Sequence, residues 1–395
     1  MLIDFEVLTR SPTMSALAQS VTVSFRLSGD AWECDIDVSD GVIRTGGTPE
    51  FTVNAPDHVW HQVLASAPPP GYQSVIHLLN TGVASMSGDS TSFMRHVHVV
   101  SGLVDALRNV NSPPFAPARP LEARGEYRRI SSAIGTADVH IERCGRGPQL
   151  LAFATAGSSI AQWHGLMTES DLCENFELIT VDLPWHGSSS PTFNSPIGSW
   201  RLTPSTYARF IIDATRTLGL DFPTLLGVSM AGAAVIHAVA LSPQDYSGAV
   251  ACQAGPYVRG RSTPLLHSTA IDQSLFVPEW TAGLMNPQSP PEFRKRVWWG
   301  YSSGGHGLYA ADIASYEQWD VTTVKDRLTE SGPHIAILSG AFDTSVPPAL
   351  SEQLASLLPH SSFQEMPELG HFPHAENPAR FADYLRTALD RVLAR

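Results

Sequence analysis

Apolar and polar positions alternate early in the chain, at Val21, Val23, Phe25 and Leu27 and again at Trp32, Cys34, Ile36 and Val38. Alternation of this kind predicts two half-buried strands, the second ending at the turn signal Ser39-Asp40-Gly41. The period then lengthens to that of helices in DHVWHQVLAS, QSVIHLLNTG and TSFMRHVHVVSGLVDALRNV, with Ser87-Gly88-Asp89-Ser90 placed to cap the third. Residues 1–110 therefore read as a small α+β domain. The segment 111–125, NSPPFAPARPLEARG, is too rich in proline for a continuous helix or strand and reads as an extended linker. Beyond it, short apolar runs at 150–155, 177–182, 224–229, 248–253, 334–339 and 362–366 alternate with amphipathic stretches at 207–218, 349–358 and 378–393. That rhythm predicts an α/β fold over 126–395 with a doubly wound parallel sheet. A stretch at about 255–330, rich in Pro, Gly, Trp and Tyr, breaks the rhythm and reads as an inserted lid. The uncharged run 223–241 is long enough for a membrane span, but Gly227, Ser229, Gly232 and His237 within it favour a buried strand followed by a buried helix.

Composition narrows the function. The chain has 395 residues, 43% of them apolar, and a formal net charge of −13. An acidic surface repels phosphate backbones, so neither nucleic acid nor an anionic membrane is expected as a partner. Cys34, Cys144, Cys173 and Cys252 are scattered without a Cys-x-x-Cys pair, which predicts no zinc site and no disulfide framework. The first twenty residues lack the basic start and apolar core of a secretory signal, and a cytoplasmic location is the expectation.

The strongest chemical signal is LLGVSMAG at 225–232, where a strand runs into Ser229 and a helix of small residues follows. A serine on a sharp strand-to-helix turn exposes its hydroxyl above the sheet. Ala231 stands where such turns usually have glycine. A serine nucleophile needs a base that is itself oriented. Asp343 follows the strand in ILSGAFDTSVPP, and His371 follows the next one in EMPELGHFPHAENPARFADYL. His371 would take and return the serine proton, and Asp343 would hold the imidazole tautomer.

Three segments together resemble the α/β-hydrolase family over residues 126–395. G-A-F-D-T-S-V-P-P is similar to the family's acid loop, G-H-F-P-x-x-E-N-P-x-x-F to its histidine segment, and V-D-L-P-W-H-G-S-S-S-P to the loop after the strand preceding the nucleophile. The resemblance implies an oxyanion hole made by the backbone N–H groups of Met230 and of a residue in 153–159, with Ser158 the expected donor. Ala156 stands there in place of the family's usual histidine. The preceding domain resembles the sterol carrier protein 2 (SCP2-like) fold through W-x-C-x-I-x-V-S-D-G, a tryptophan in its first helix and a Gly-Asp before its last.

These readings predict a serine hydrolase that cleaves a carboxylic ester of a bulky, apolar, aromatic small molecule. A carbon–carbon bond hydrolase acting next to a ketone and an inactive hydrophobic-ligand module are the alternatives. Epoxide hydrolases and haloalkane dehalogenases place an aspartate where Ser229 stands and are disfavoured. Trp163, Trp185, Trp298, Trp299 and Tyr301 are the expected pocket residues, while Trp280, Tyr309, Tyr316 and Trp319 read as lid core. No cofactor and no metal are expected. His96 and His98 read as solvated helix residues, His186 as a loop residue near the pocket mouth, and Asp182 as a structural partner of its loop. The N-terminal domain is expected either to mediate self-association, the favoured role, or to narrow the entrance to the pocket, and the linker would let it move unless a large interface fixes it.

Overall fold

The structure, a computed structural model, describes residues 5–19, 21–108 and 115–394. The alternating strands form as expected: β1 (Val23–Ser28) pairs antiparallel with β2 (Glu33–Ser39), Phe25 opposite Ile36. Three short strands escaped the pattern: β3 (Val42–Thr45), β4 (Phe51–Asn54) and β5 (Ser85–Gly88) complete a five-stranded sheet of order β3-β2-β1-β4-β5. The predicted helices appear at Asp57–Val63, Val75–Thr81 and Ser90–Arg108. Asp89 caps the last one, its Oδ1 accepting from the N–H groups of Thr91 and Ser92 at 2.8 and 3.1 Å. Phe25 stacks on Phe51, which meets Phe93 edge to face, both pairs 5.4 Å apart. His98 corrects an expectation: it is buried on the core face of its helix, and burial lowers its pKa to about 4.

The larger sheet holds β6 (Arg124–Ser132), β7 (Gly135–Gly145), β8 (Gln149–Phe153), β9 (Glu177–Val181), β10 (Thr224–Val228), β11 (Gly248–Cys252), β12 (His334–Gly340) and β13 (Ser361–Met366). Their order is β13-β12-β11-β10-β8-β9-β7-β6. From β13 to β9 every neighbouring pair is parallel, as expected; β7 and β6 add an antiparallel hairpin at one edge. That hairpin begins inside the segment read as linker, at Arg124, while 111–114 lie outside the described residues. On β6, Arg128 pairs with Glu126 and Arg129 with Asp138 of β7. Separate apolar clusters cover the two faces of the sheet, one built on the helices Pro204–Thr217 and Met230–Leu241, the other on Pro378–Leu393. The uncharged run 223–241 is β10 and its buried helix, and no helix among the described residues is long and apolar enough to cross a membrane.

Between β11 and β12 the chain inserts the helices Gln273–Ala282, Pro291–Ser302 and Leu308–Tyr316. They share one apolar core with the N-terminal unit, in which Leu266, Phe276, Val277 and Met285 join Val75, Val100 and Val104. Arg95 Nε donates to Ala270 O at 2.8 Å, and Arg294 pairs with Asp105. Glu279 is held between the two, accepting from Trp298 Nε1 at 2.7 Å near Ser101; burial pushes its carboxyl up to about 8. A loosely tethered N-terminal unit is therefore not what the chain builds. The interface fixes it against the insertion.

Candidate active site

β10 delivers Ser229 into a turn with φ 60° and ψ −122°, a backbone region that costs a non-glycine residue free energy. The Ser229 N–H is held by Cys252 O at 2.9 Å. Its small neighbours are required: a Cβ on Gly227 would meet Ala231 O at 2.2 Å, and one on Gly232 would meet Cys252 O at 2.6 Å.

Asp343 follows β12 and His371 follows β13, so all three residues emerge at the carboxyl edge of parallel strands. His371 Nδ1 and Asp343 Oδ2 are 2.7 Å apart. The second carboxylate oxygen accepts from the N–H groups of Ser345 (2.7 Å) and Val346 (3.0 Å), which fixes the acid side chain. The His371 N–H donates to Leu284 O of the insertion at 2.9 Å. All three side chains are buried.

Two residues that the sequence did not single out for this site converge on it. Tyr316, expected as lid core, donates its hydroxyl to Gln253 O at 3.3 Å next to the Ser229 side chain; burial drives its pKa upward. Gln253, at φ 52°, donates through Nε2 to Gly370 O at 2.6 Å and accepts from Gly340 N–H at 3.1 Å. It thereby joins the ends of β11 and β12 to the residue before His371. The one legible signal was its position directly after an apolar strand.

The loop 153–159 has an unexpected support. Ser158 lies in a turn, its N–H 3.2 Å from Thr155 O. The Gly157 N–H, one residue earlier, donates at 2.7 Å to Asp312 Oδ2, a carboxylate on the inserted helix Leu308–Tyr316. Asp312 also takes His186 Nε2 at 2.9 Å and Trp200 Nε1 at 2.7 Å and is fully buried. Burial works against a charged imidazole on His186, but the Asp312 carboxylate outweighs it and the pKa is raised. His186 is thus an interior residue and not a mouth residue. Asp182 accepts from Ile160 N–H and Ser188 N–H at 2.8 and 3.0 Å, the structural role expected of it.

Of the five expected pocket residues, Trp298 and Trp299 line a cavity of about 810 Å³ together with Ser158, Phe293 and Ala375. Tyr301 lines a second, of about 620 Å³, with Gly157, His267, His306 and Tyr309. Trp163 and Trp185 line neither: Trp163 is core, its ring 4.4 Å from that of His374, and Trp185 Nε1 bonds Thr192 Oγ1. A cavity larger than either, about 1250 Å³, lies between Arg119, Arg143, Cys173 and Glu174 and is not lined by Ser229, Asp343 or His371. No group of metal-ligating side chains occurs among the described residues, and His374 sits with both ring nitrogens unpartnered in an apolar surround. Behind His371, buried Glu376 accepts the Gly370 N–H, and burial raises its carboxyl to about 8.

Comparison with known proteins agrees with this architecture. An uncharacterized protein of Mycobacterium tuberculosis (strain ATCC 25618 / H37Rv) is 23% identical over 271 residues, covering 62% of this chain and 76% of that one. Among solved structures, a thermophilic esterase from Thermogutta terrifontis superposes with a TM-score of 0.58 at 22% identity, over 68% of this chain and 99% of its own. The enol-lactonase from Burkholderia xenovorans LB400 gives 0.56 at 15% identity, over 65% and 96%. At such identities the likeness is one of fold. The model of the alpha/beta hydrolase family matches residues 151–384, well over half of the chain, and the protein belongs to that family.

Proposed function

We propose that the protein is a serine hydrolase that cleaves carboxylic esters of bulky, apolar, aromatic small molecules through an acyl-enzyme on Ser229. The observation that carries this reading is the strained turn at Ser229, set at the same sheet edge as an imidazole whose Nδ1 is engaged by a fixed carboxylate. On this reading His371 takes the Ser229 proton as the hydroxyl oxygen attacks the ester carbonyl, and Asp343 stabilises the imidazolium. The proton then passes to the leaving alcohol. Water, activated by the same imidazole, releases the acid.

The oxyanion would be received by the N–H groups of Met230 and Ser158. On this reading the Ser158 N–H, which donates to Thr155 O at 3.2 Å, is shared with the oxyanion in a three-centre bond. The aromatic-lined cavity beside Ser158 favours an apolar acyl or alcohol group. An SCP2-like N-terminal unit acts here as a brace on the lid, and the enzyme works without cofactor or metal in the cytoplasm. Labelling of purified protein by a fluorophosphonate tests the reading: wild type labels on Ser229 and Ser229→Ala does not. An unlabelled wild type points instead to a module that only binds ligand.

A further inference from the structure

We propose that Asp312 is a positioning residue for the oxyanion-binding loop, so that the inserted helix Leu308–Tyr316, and not the sheet, holds Gly157–Ser158 in place for catalysis. The proposal rests on the reading of Ser229 and Ser158 given above. A loop that lends a backbone N–H to a developing charge must be fixed before the reaction, because reorganisation during it forfeits the stabilisation. Within the loop, Ala156 offers no side chain with which to brace itself. Thr155 is tied to Gln162 Oε1 through its N–H and hydroxyl at 3.3 and 3.1 Å, but the brace on Gly157 itself comes from outside. Asp312 Oδ2 receives the Gly157 N–H at 2.7 Å, and Gly157 sits against the same helix so closely that a Cβ there would stand 2.8 Å from Tyr309 Cβ. Gly157 has φ 65°, so glycine is needed on conformational grounds as well.

The carboxylate is in turn immobilised. His186 Nε2 and Trp200 Nε1 approach it from the loop after β9 and from the segment before helix Pro204–Thr217, at 2.9 and 2.7 Å. A fully buried carboxylate with three donors is rigid and costly to displace. It acts through Gly157 and touches no reacting atom. One consequence follows for closure: if helix Leu308–Tyr316 lifts, the Gly157 N–H loses its acceptor, and the loop that presents Ser158 is freed together with the substrate opening.

The test compares wild type with Asp312→Ala and Asp312→Asn. Reactive serines are first counted with a fluorophosphonate, and kcat is then expressed per titrated serine on an aryl ester. Loss of a whole oxyanion donor costs ~100- to 1,000-fold. Loss of its positioning is expected to lower kcat of Asp312→Ala by ~10- to 100-fold, with KM within ~3-fold and affinity for a trifluoromethyl ketone falling in step with kcat. Asp312→Asn keeps one acceptor oxygen and should fall between the two; being isosteric, it decides the matter alone if the alanine variant does not fold. Per-serine kcat within ~3-fold of wild type in a folded variant overturns the proposal. An unlabelled wild type overturns the hydrolase reading instead, so the two failures are distinct.

Discussion

The side-chain amide of Gln73 donates a buried hydrogen bond to the carbonyl of Phe342, 2.8 Å away, tying the N-terminal unit to the residue before Asp343. The acid loop is therefore supported by a segment that precedes the whole α/β sheet. Together with the apolar core shared with the insertion, this makes the N-terminal unit part of the framework around the site.

Removal of residues 1–120 would uncover Leu266, Phe276, Val277 and Met285 at once. At ~1.5–3 kcal/mol for each large apolar side chain, their exposure exceeds what a domain of ordinary stability tolerates. The truncated chain is expected to be insoluble or to lose fluorophosphonate labelling. A soluble, fully labelled fragment would show that the shared core is dispensable.

Ser229→Ala and His371→Ala should each lower kcat by ~10⁴-fold or more, and the double variant should lose little beyond either, because such residues act as a unit. Asp343→Asn should lose activity as well, by presenting the wrong imidazole tautomer. Steady-state rates on an aryl ester decide this, and multiplicative losses in the double variant would contradict a shared role.

Five groups displaced far from their ordinary values contribute to the pH dependence of folding. Burial lowers His98 and His237 to about 4 and His374 to about 3, and raises Glu279 and Glu376 to about 8. Below ~6.5 the unfolded chain takes up protons that the folded histidines refuse, so these three make stability rise with pH. From ~4.3 up to about 8 the unfolded glutamates lose protons that the folded ones keep, so these two make stability fall as pH rises. Among these five the histidines outweigh the glutamates below ~6 and the glutamates prevail above it, with the raised His186 acting in the same falling sense, so the melting temperature should peak slightly above pH ~6. Thermal melts across this range test it, and Glu279→Gln should flatten the alkaline decline. A melting temperature still climbing between pH ~6.5 and ~8 would refute the assignment.

Trp299 is 66% exposed at the edge of the larger aromatic cavity. Trp299→Ala should remove ~1 kcal/mol of apolar contact with a bulky aryl ester, raising KM by ~5-fold with kcat little changed. Equal KM values for aryl and short alkyl esters in wild type and variant would place the substrate elsewhere.

The strands β8 to β12 were legible because they are short apolar runs, and Ser229 and Asp343 because each follows such a run, whereas His371 follows β13, SSFQEM, in which only Phe363 and Met366 are apolar. The hairpin β6–β7 was not legible. RGEYRRISS buries only Ile130, and an edge strand with one inward apolar side chain shows no apolar alternation. Asp312 escaped for a related reason: LYAADIASY gives no sign that its one carboxylate points inward at three donors brought from 112 to 155 residues away. The packing of the N-terminal unit on the insertion was equally hidden, because two apolar faces do not announce which face each will meet.

The hairpin has one further consequence. β6 is the outermost strand of the large sheet, with one row of backbone N–H and C=O groups open to an incoming strand. Arg128 and Arg129 stand exposed along it, engaged with Glu126 and Asp138, and a second copy docking edge to edge would have to strip water from these charges. The fold thus guards this border against fibre-like growth.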